Sequence, residues 1–347
     1  MVASSHPVDI LYFYPSLPVF RRGFWTAFVR SFLQWSQDFF GYNVFMVEFL
    51  LPTIISGVQG DTRRYRSFHL NEQLRLANFP CMGDHLTSKT ALHSAYRANL
   101  LIPQRVTWDR RIAQIVREAR SHNAIILCDL DDLVYLRDSF RWIDSPDFAD
   151  PIRAALYQEN LERNRQTIEQ CEGILVSTEY LAQQVRQQFA QPVWVHRTAF
   201  SLEMLHCSQE ALRTKAPETE KVILGYASGT PTHDRDFQLV QPVLKRLLEA
   251  YPNVHLHLIG HVCKNLDWGE VSTKVHYFDF VPWRKLPFLL SKLSINIAPL
   301  RLDNPFSQSK SEIKYVEAAL VKVPTVASPI KAFQYAIREG ENGYLAD

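Results

Sequence analysis

The 347-residue sequence predicts an α/β protein built from two Rossmann-like domains that face each other across a cleft. Three observations predict it. The length exceeds what one hydrophobic core usually organises, so two domains are expected. Short β-rich runs alternate with helical patterns throughout, which is the signature of βαβ units on parallel sheets. A polar, charged stretch containing Pro217, residues 208–221, divides the chain into two such halves.

Residues 1–45 read as an N-terminal extension or an extra βα unit, with a strand over Asp9–Tyr14. Its segment 20–40 carries an aromatic stripe at helical spacing: Phe24, Phe28, Phe32, Trp35 and Phe39, beside Arg21, Arg22 and Arg30. The stripe fits a first helix packed on the sheet, or a surface that touches a membrane or partner.

Residues 46–207 form the first Rossmann-like domain. Strands are expected over Asn43–Leu51, Asn99–Ile102, Ala124–Cys128, Gly173–Ser177 and Val193–Val195. Helices are expected over Asp61–Leu76, Trp108–Arg120, Ile152–Cys171 and Glu179–Phe189.

Residues 208–221 are the linker, and 222–347 the second domain. Its strands are Val222–Gly225, His255–Ile259, Lys274–Phe278, Ile295–Pro299 and Thr325–Ser328. Its helices are Phe237–Ala250, Trp283–Leu293 and Lys310–Val321. Phe237, Val240, Val243, Leu244, Leu247 and Leu248 make the core face of the first of these. Two such domains place ligands beyond the carboxyl ends of their strands.

Composition narrows the function classes. Lys and Arg number 38 against 36 Asp and Glu, a net +2 that does not suggest a nucleic-acid partner. Five cysteines, without a C-x-x-C pair, support neither zinc nor a disulfide framework. With no secretory leader or spanning segment recognisable, a cytoplasmic protein is expected, with peripheral contact to the inner membrane face through 20–40 as the further option.

Two loops carry the chemistry. Gly225-Tyr-Ala-Ser-Gly229-Thr-Pro-Thr-His233-Asp-Arg-Asp236 leaves a strand, turns, and enters a helix. Ser228, Gly229, Thr230 and His233 can present amides, hydroxyls and an imidazole to an anion at the helix N-terminus. The plainer reading is a βα turn capped by Thr232 or Asp234. In Asn304 to Ala319, Ser309 and Glu312 fit a capping box that starts a helix near Ser309. Lys310 then lies in the first turn, where only a bound anion would favour a cation. Lys310, Lys314 and Glu317 share one face, with Ser311 beside them, while Ile313, Val316 and Leu320 face the core. A solvated face with an ion pair is the alternative.

In the first domain, Asp129, Asp131 and Asp132 follow an apolar strand, so they sit where cleft residues belong. Acceptor binding or loop structure is expected of them rather than a metal. Arg63, Arg64 and Arg66 open a helix after a turn, which suits an anion or a solvated basic turn equally well. His196, beside Arg197, ends a strand near the cleft.

From Val222 onward the sequence resembles the "group 1" family of GT-B glycosyltransferases of the retaining, bacterial polysaccharide type. Gly229-Thr-Pro-Thr-His233, Ile297-Ala-Pro-Leu300, Lys310-Ser-Glu-Ile-Lys314, Glu317-Ala-Ala, Val323-Pro-Thr-Val-Ala-Ser328 and Gly340-Glu-Asn-Gly343 carry the resemblance, in family order. Gly60-Asp-Thr-Arg-Arg-Tyr-Arg66 and Asp129-Leu-Asp-Asp132 add weaker echoes.

The resemblance implies retaining sugar transfer from a nucleotide-sugar, without an obligatory metal or a resident cofactor, the nucleotide-sugar being a co-substrate. It implies that Glu317 binds the ribose and that Lys310 and Glu317 are catalytic. Ser228, Gly229, Thr230, His233, Lys310, Ser311, Lys314 and Glu317 bind the nucleotide-sugar. Arg64, Arg66, Asp131 and Asp132 lie on the side of a glycan or lipid-linked acceptor. The chain departs from the family at two places: Ser309 stands where a second glutamate contacts the donor sugar, and Tyr226 where an arginine is frequent. Lys310, with Lys314 or Arg301, is expected to supply the missing positive charge. The sequence stops at Asp347, before the helices that usually cross back to the first domain. The alternative to a transferase is therefore a non-catalytic nucleotide-sugar or glycan-binding protein, or half of a two-subunit enzyme. A sugar epimerase would need acid–base residues that the sequence does not offer.

Overall fold

The computed structural model describes residues 50–215 and 220–347. The strand expected over Asp9–Tyr14 and the aromatic stripe of 20–40 lie outside the described residues.

The described chain folds around two six-stranded sheets, every recorded pairing parallel. In the first, β1 (Pro52–Ser56), β2 (Met82–His85), β3 (Leu100–Gln104), β4 (Ile125–Leu130), β5 (Gly173–Val176) and β6 (Val193–Val195) lie in the order β2-β1-β3-β4-β5-β6. In the second, β7 (Val222–Ser228), β8 (Val254–Gly260), β9 (Val275–Phe278), β10 (Ile295–Ala298), β11 (Thr325–Ala327) and β12 (Gly343–Leu345) lie in the order β12-β11-β10-β7-β8-β9. Both sheets are doubly wound. Their strand order reverses between β1 and β3 in one and between β7 and β10 in the other, which opens a crevice at each carboxyl edge. Sequences such as Pro52-Thr-Ile-Ile-Ser and Gly173-Ile-Leu-Val are buried along their whole length, as strands covered on both faces must be.

The first domain's helices begin with α1, residues 60–76, which contains a π-helical turn over Arg64–Phe68. An ordinary α-helix would point residues 64 and 66 in nearly opposite directions. Both arginines are buried, at 6% and 1% exposure, because separate segments cover the two sides: Trp283 and Met204 lie at Arg64, Asp129 and His196 at Arg66. Then follow α2 (Ala91–Arg97), α3 (Arg110–Ser121), α4 (Pro151–Glu169) and α5 (Glu179–Arg186). Asp109 caps α3 through the amides of Arg111 and Ile112, and Ile112, Ile115, Val116 and Ala119 form its buried stripe.

The second domain carries α7 (Asp234–Ala250), α8 (Leu286–Leu290), α9 (Pro305–Gln308), α10 (Ile313–Leu320) and α11 (Lys331–Ala336). Helix α6 (Leu202–Arg213) precedes it and runs six residues into the stretch expected to be linker. Met204 and Leu205 pack with Val316 and Phe333, and Ala211 packs with Leu290, so α6 joins the second domain's core.

Three expectations change. Helix α10 starts at Ile313 with Glu312 as its N-cap residue, so Ser309 and Glu312 make no capping box. Ser309 instead ends the short α9, its Oγ donating to the Phe306 carbonyl. Asn304 caps the N-terminus of α9, which lies just upstream of the expected helix, and Lys310 falls in the break between α9 and α10. Neither Thr232 nor Asp234 caps α7: His233 is the N-cap residue, without a side-chain capping bond. Val243 and Leu247 are exposed on α7, leaving Phe237, Leu244 and Leu248 as its buried residues.

Candidate functional site at the crevice of the second sheet

The crevice between β7 and β10 gathers most of the residues singled out above. Ser228 ends β7, and its Oγ donates to the Thr230 carbonyl, folding the turn that enters α7. The positive φ of Gly260 (86°) brings its backbone against the Ser228 carbonyl, where a β-carbon would collide. Gly229 differs: a β-carbon there would meet no atom within 4 Å, so its backbone faces open space. Asp234 and Asp236 fill the first turn of α7 and already complement the positive end of its dipole. That helix end therefore offers less to an incoming anion than the sequence suggests.

Asp236 anchors the crevice. It is buried and accepts from the ring of His233 (Nδ1, 2.9 Å), from the backbone N–H of Arg301 (2.9 Å) and from the Ser307 hydroxyl (3.2 Å). Burial opposes its charge, but the bonds from His233, Arg301 and Ser307 hold its carboxyl below the usual range. His233 shifts the other way from a solvent histidine. Burial lowers its pKa, the Asp236 bond resists, and Lys310 and Lys314 add to the lowering.

Lys314, on α10, donates to the Ala227 carbonyl and lies over the Tyr226 ring, 4.7 Å from its centroid. Burial lowers its pKa to about 8, against the pull of Glu317 and Asp236 and with the push of Lys310. Tyr226 is buried and stacked on Phe237, so it belongs to the core rather than to an anion site. Ser311 is half-buried in the turn between α9 and α10.

Lys310 is not on a helix. It sits over the Phe306 ring (4.0 Å) and pairs with Asp132 of the first domain, Nζ to Oδ1 2.9 Å. No helix begins at Lys310, so no macrodipole calls for an anion there, and a carboxylate already faces the ammonium. Arg105 also reaches Asp131 (3.3 Å) and Asp132 (3.5 Å). Arg301 and Arg235 both pair with Asp144 of the first domain, at 2.9 and 3.1 Å. Asn304 donates to the Trp142 carbonyl (2.7 Å), and Phe306 packs into the first domain's core cluster. The segment 131–150 and the loop 301–310 thus interlock across the cleft.

Glu317 also meets the first domain, accepting from the Tyr65 hydroxyl. Burial raises its pKa, while Tyr65, Arg64 and Lys314 oppose the rise. Arg64 pairs with Asp61 (2.9 Å) and lies 4.7 Å from the Trp283 ring centroid, beside a small pocket that Met204, Leu290 and Glu317 also line.

Arg66 is not free for an acceptor. It forms a two-pronged ion pair with Asp129 (3.0 and 2.5 Å) and donates to the His196 carbonyl (2.5 Å), all buried. Arg66 and Asp129 are a structural bolt between α1 and β4. His196 lies beside them, its Nε2 3.0 Å from Gln73.

The sequence reading overlooked Tyr65, Asp144 and the pairing of Arg197 with Glu312. Arg197 stacks on Tyr335 at 3.5 Å and lies 3.6 Å from Glu312, whose Oε2 is buried without a hydrogen-bond partner among the described residues. Burial raises the Glu312 pKa and Arg197 opposes it. Glu312 was visible only as a capping residue, and nothing in its spacing signalled a partner 115 positions away. Among the described residues, no group of three or more His, Cys, Asp or Glu is arranged to hold a metal ion, and no helix is long and apolar enough to cross a membrane.

Two doubly wound domains meeting across a cleft are the GT-B architecture, and this fold belongs to that class. Residues 221–347, about a third of the chain, match the family described as "Glycosyl transferases group 1". No curated protein sequence matches the chain. Sucrose-phosphate synthase from Thermosynechococcus elongatus has the same fold, with a TM-score of 0.54 at 12% identity over 85% of each chain. An alpha-glucosyltransferase in complex with UDP gives 0.53 at 11% identity, over 85% of this chain and 82% of its own.

Proposed function

We propose that this protein transfers a sugar from a nucleoside-diphosphate donor, held in the crevice of the second sheet, to a glycan or lipid-linked acceptor on the first domain's side. The observation that carries the proposal is the convergence of Lys310, Lys314, His233 and Glu317 at that crevice. Two cations and an imidazole suit a diphosphate, and a carboxylate suits the ribose hydroxyls. The exposed backbone at Gly229 and Thr230 adds amides that need no reorganisation when the phosphate arrives.

The reaction is read as retaining. Negative charge builds on the diphosphate as the sugar leaves, and Lys310 and Lys314 stabilise it, so no obligatory metal is required. The departing phosphate accepts the acceptor's proton, and no protein general base is assigned. Glu312, paired with Arg197 at 3.6 Å and three residues from Ser309, is the glutamate nearest in sequence to the position of the missing one. Arg64, Asp131 and Asp132 border the acceptor side.

Calorimetric titration with UDP, GDP and ADP and their sugar conjugates tests the reading. Selective binding that weakens in Lys310→Ala and Lys314→Ala supports it, and unchanged affinity in both folded variants overturns the site. Activity lost in EDTA and restored by Mg²⁺ or Mn²⁺ would overturn the metal-free mechanism. A second reading, a non-catalytic nucleotide-sugar binder, is favoured by one observation: Lys310 and Arg301 are already paired with Asp132 and Asp144. Radiolabel passing from donor to acceptor separates the two.

A further inference from the structure

His233 and Asp236 form a dyad whose geometry goes beyond simple anion binding. The Asp236 carboxylate can only accept, so the 2.9 Å contact fixes the hydrogen of neutral His233 on Nδ1. Nε2 is then a lone-pair nitrogen, and the ring's hydrogen bond to Asp236 leaves it unused. Asp236 cannot swing away, because the Arg301 amide and the Ser307 hydroxyl hold the same carboxylate. The ring is consequently locked in place on the turn that follows Gly229, with 16% of its side chain exposed.

Charged groups from α7, α10 and the loop before α10 flank this ring. Lys310 and Lys314 come from the loop before α10 and from α10 itself, Asp236 from α7, and Asp234 adjoins in sequence. Arg301 approaches Asp236 at 3.7 Å. With the crevice as it stands, two ammonium groups and burial keep the imidazole neutral. A diphosphate bound by those lysines reverses the field: its oxygens need donors, while Nε2 presents a lone pair. A proton at Nε2 converts that repulsion into a charge-assisted hydrogen bond.

We propose that His233, oriented by Asp236, takes up a proton from solvent when a nucleoside diphosphate binds, and that its Nε2–H then donates to a phosphate oxygen. The balance is simple: protein, nucleotide and one proton give the complex, with no bond broken. This rests on the donor-site reading above. It adds that binding is linked to pH through one named side chain, and that a third cation appears as charge builds on the leaving group.

The test is calorimetric titration of the full chain with the sugar conjugates of UDP, GDP and ADP, whose diphosphates have no terminal phosphate proton near neutral pH, at pH ~6.5, close to the ordinary histidine pKa, in Pipes and in imidazole buffers. Proton uptake makes the observed enthalpy depend on the buffer's ionisation enthalpy. The wild type is expected to show it, and affinity is expected to fall as pH rises from 6 to 8, by about tenfold overall. His233→Asn keeps a donor to Asp236 but removes Nε2, so it is expected to bind with buffer-independent enthalpy and a flattened pH profile below pH ~7, where lysine titration is small. Binding whose enthalpy is buffer-independent in the wild type, or equally buffer-dependent in His233→Asn, overturns the proposal while leaving the donor site standing. No binding of any nucleotide by the wild type overturns both.

Discussion

Lys310 Nζ lies 2.9 Å from Asp132 Oδ1, so a carboxylate of the first domain sits on a cation of the second domain's crevice. Asp144 does the same to Arg301 and Arg235. These carboxylates hold positive groups that a diphosphate would also seek, so donor and interdomain pair compete. Asp132→Asn is therefore expected to raise nucleotide affinity by up to about tenfold, or ~1.4 kcal/mol. Lys310→Ala is expected to lower it by roughly 1.5–3 kcal/mol, the range for a charged hydrogen bond. Calorimetry on both variants checks the pair, and a decrease in Asp132→Asn contradicts the competition.

Lys314 makes the affinity depend on alkaline pH. Its pKa of about 8 rises when a phosphate binds, so the Lys314 contribution to affinity is complete below that value and is lost as pH climbs through the pKa of the complex. Titrations from pH 7 to 10 should show this separate fall beginning near 8. Lys314→Gln should remove it.

Tyr65 and Glu317 are coupled across the domains. Tyr65→Phe strips a buried carboxylate of a donor and is expected to destabilise the fold by about 1–3 kcal/mol, read as a lower Tm. Glu317→Gln is expected to weaken nucleotide binding while keeping the Tyr65 contact. Binding unchanged in Glu317→Gln would remove this residue from the ribose site.

Arg66 and Asp129 should be sensitive to removal of one partner. Arg66→Ala leaves a fully buried carboxylate uncompensated and is expected to cost about 3–5 kcal/mol. Replacing both with apolar residues should recover much of that loss. Denaturant unfolding measures both, and a mild effect from Arg66→Ala would show that water reaches Asp129.

Acid should destabilise the first domain through His69. Burial lowers its pKa to about 4, resisted by the bond its Nδ1–H donates to the Ala199 carbonyl. The folded state binds the proton less readily than the unfolded chain does. Stability is therefore full above the ordinary histidine value and falls as pH drops from about 6.5 towards 4, by on the order of 3 kcal/mol. His69→Gln should flatten that slope.

Much of the fold was legible because burial on both faces of a parallel sheet demands unbroken apolar runs. Leu100-Leu-Ile, Ala124 to Cys128 and Gly173 to Val176 announce themselves in that way. Where that demand relaxes, the signal fades. Edge strands β2 and β12 are short, and Met82-Gly-Asp-His has no apolar alternation, so neither was foreseen. The expected strands stop at Leu51 and Ile102, each just short of a proline, yet Pro52 opens β1 and Pro103 lies within β3.

The site divides along the same line. Residue types and their spacing within one loop were enough to nominate Ser228, Gly229, Thr230, His233, Lys310, Lys314 and Glu317, because a strand–turn–helix unit brings near neighbours to one crevice. What each side chain pairs with was decided by the tertiary structure alone. Arg66 looked like an anion ligand until Asp129, 63 positions away, claimed both its prongs. Lys310 looked like a helix-end cation until α10 proved to begin only at Ile313 and Asp132 arrived from 178 positions off. Local periodicity encodes which face of an element is apolar. Charge pairing depends on which distant segments the two sheets bring within a few ångströms, and only the folded packing fixes that.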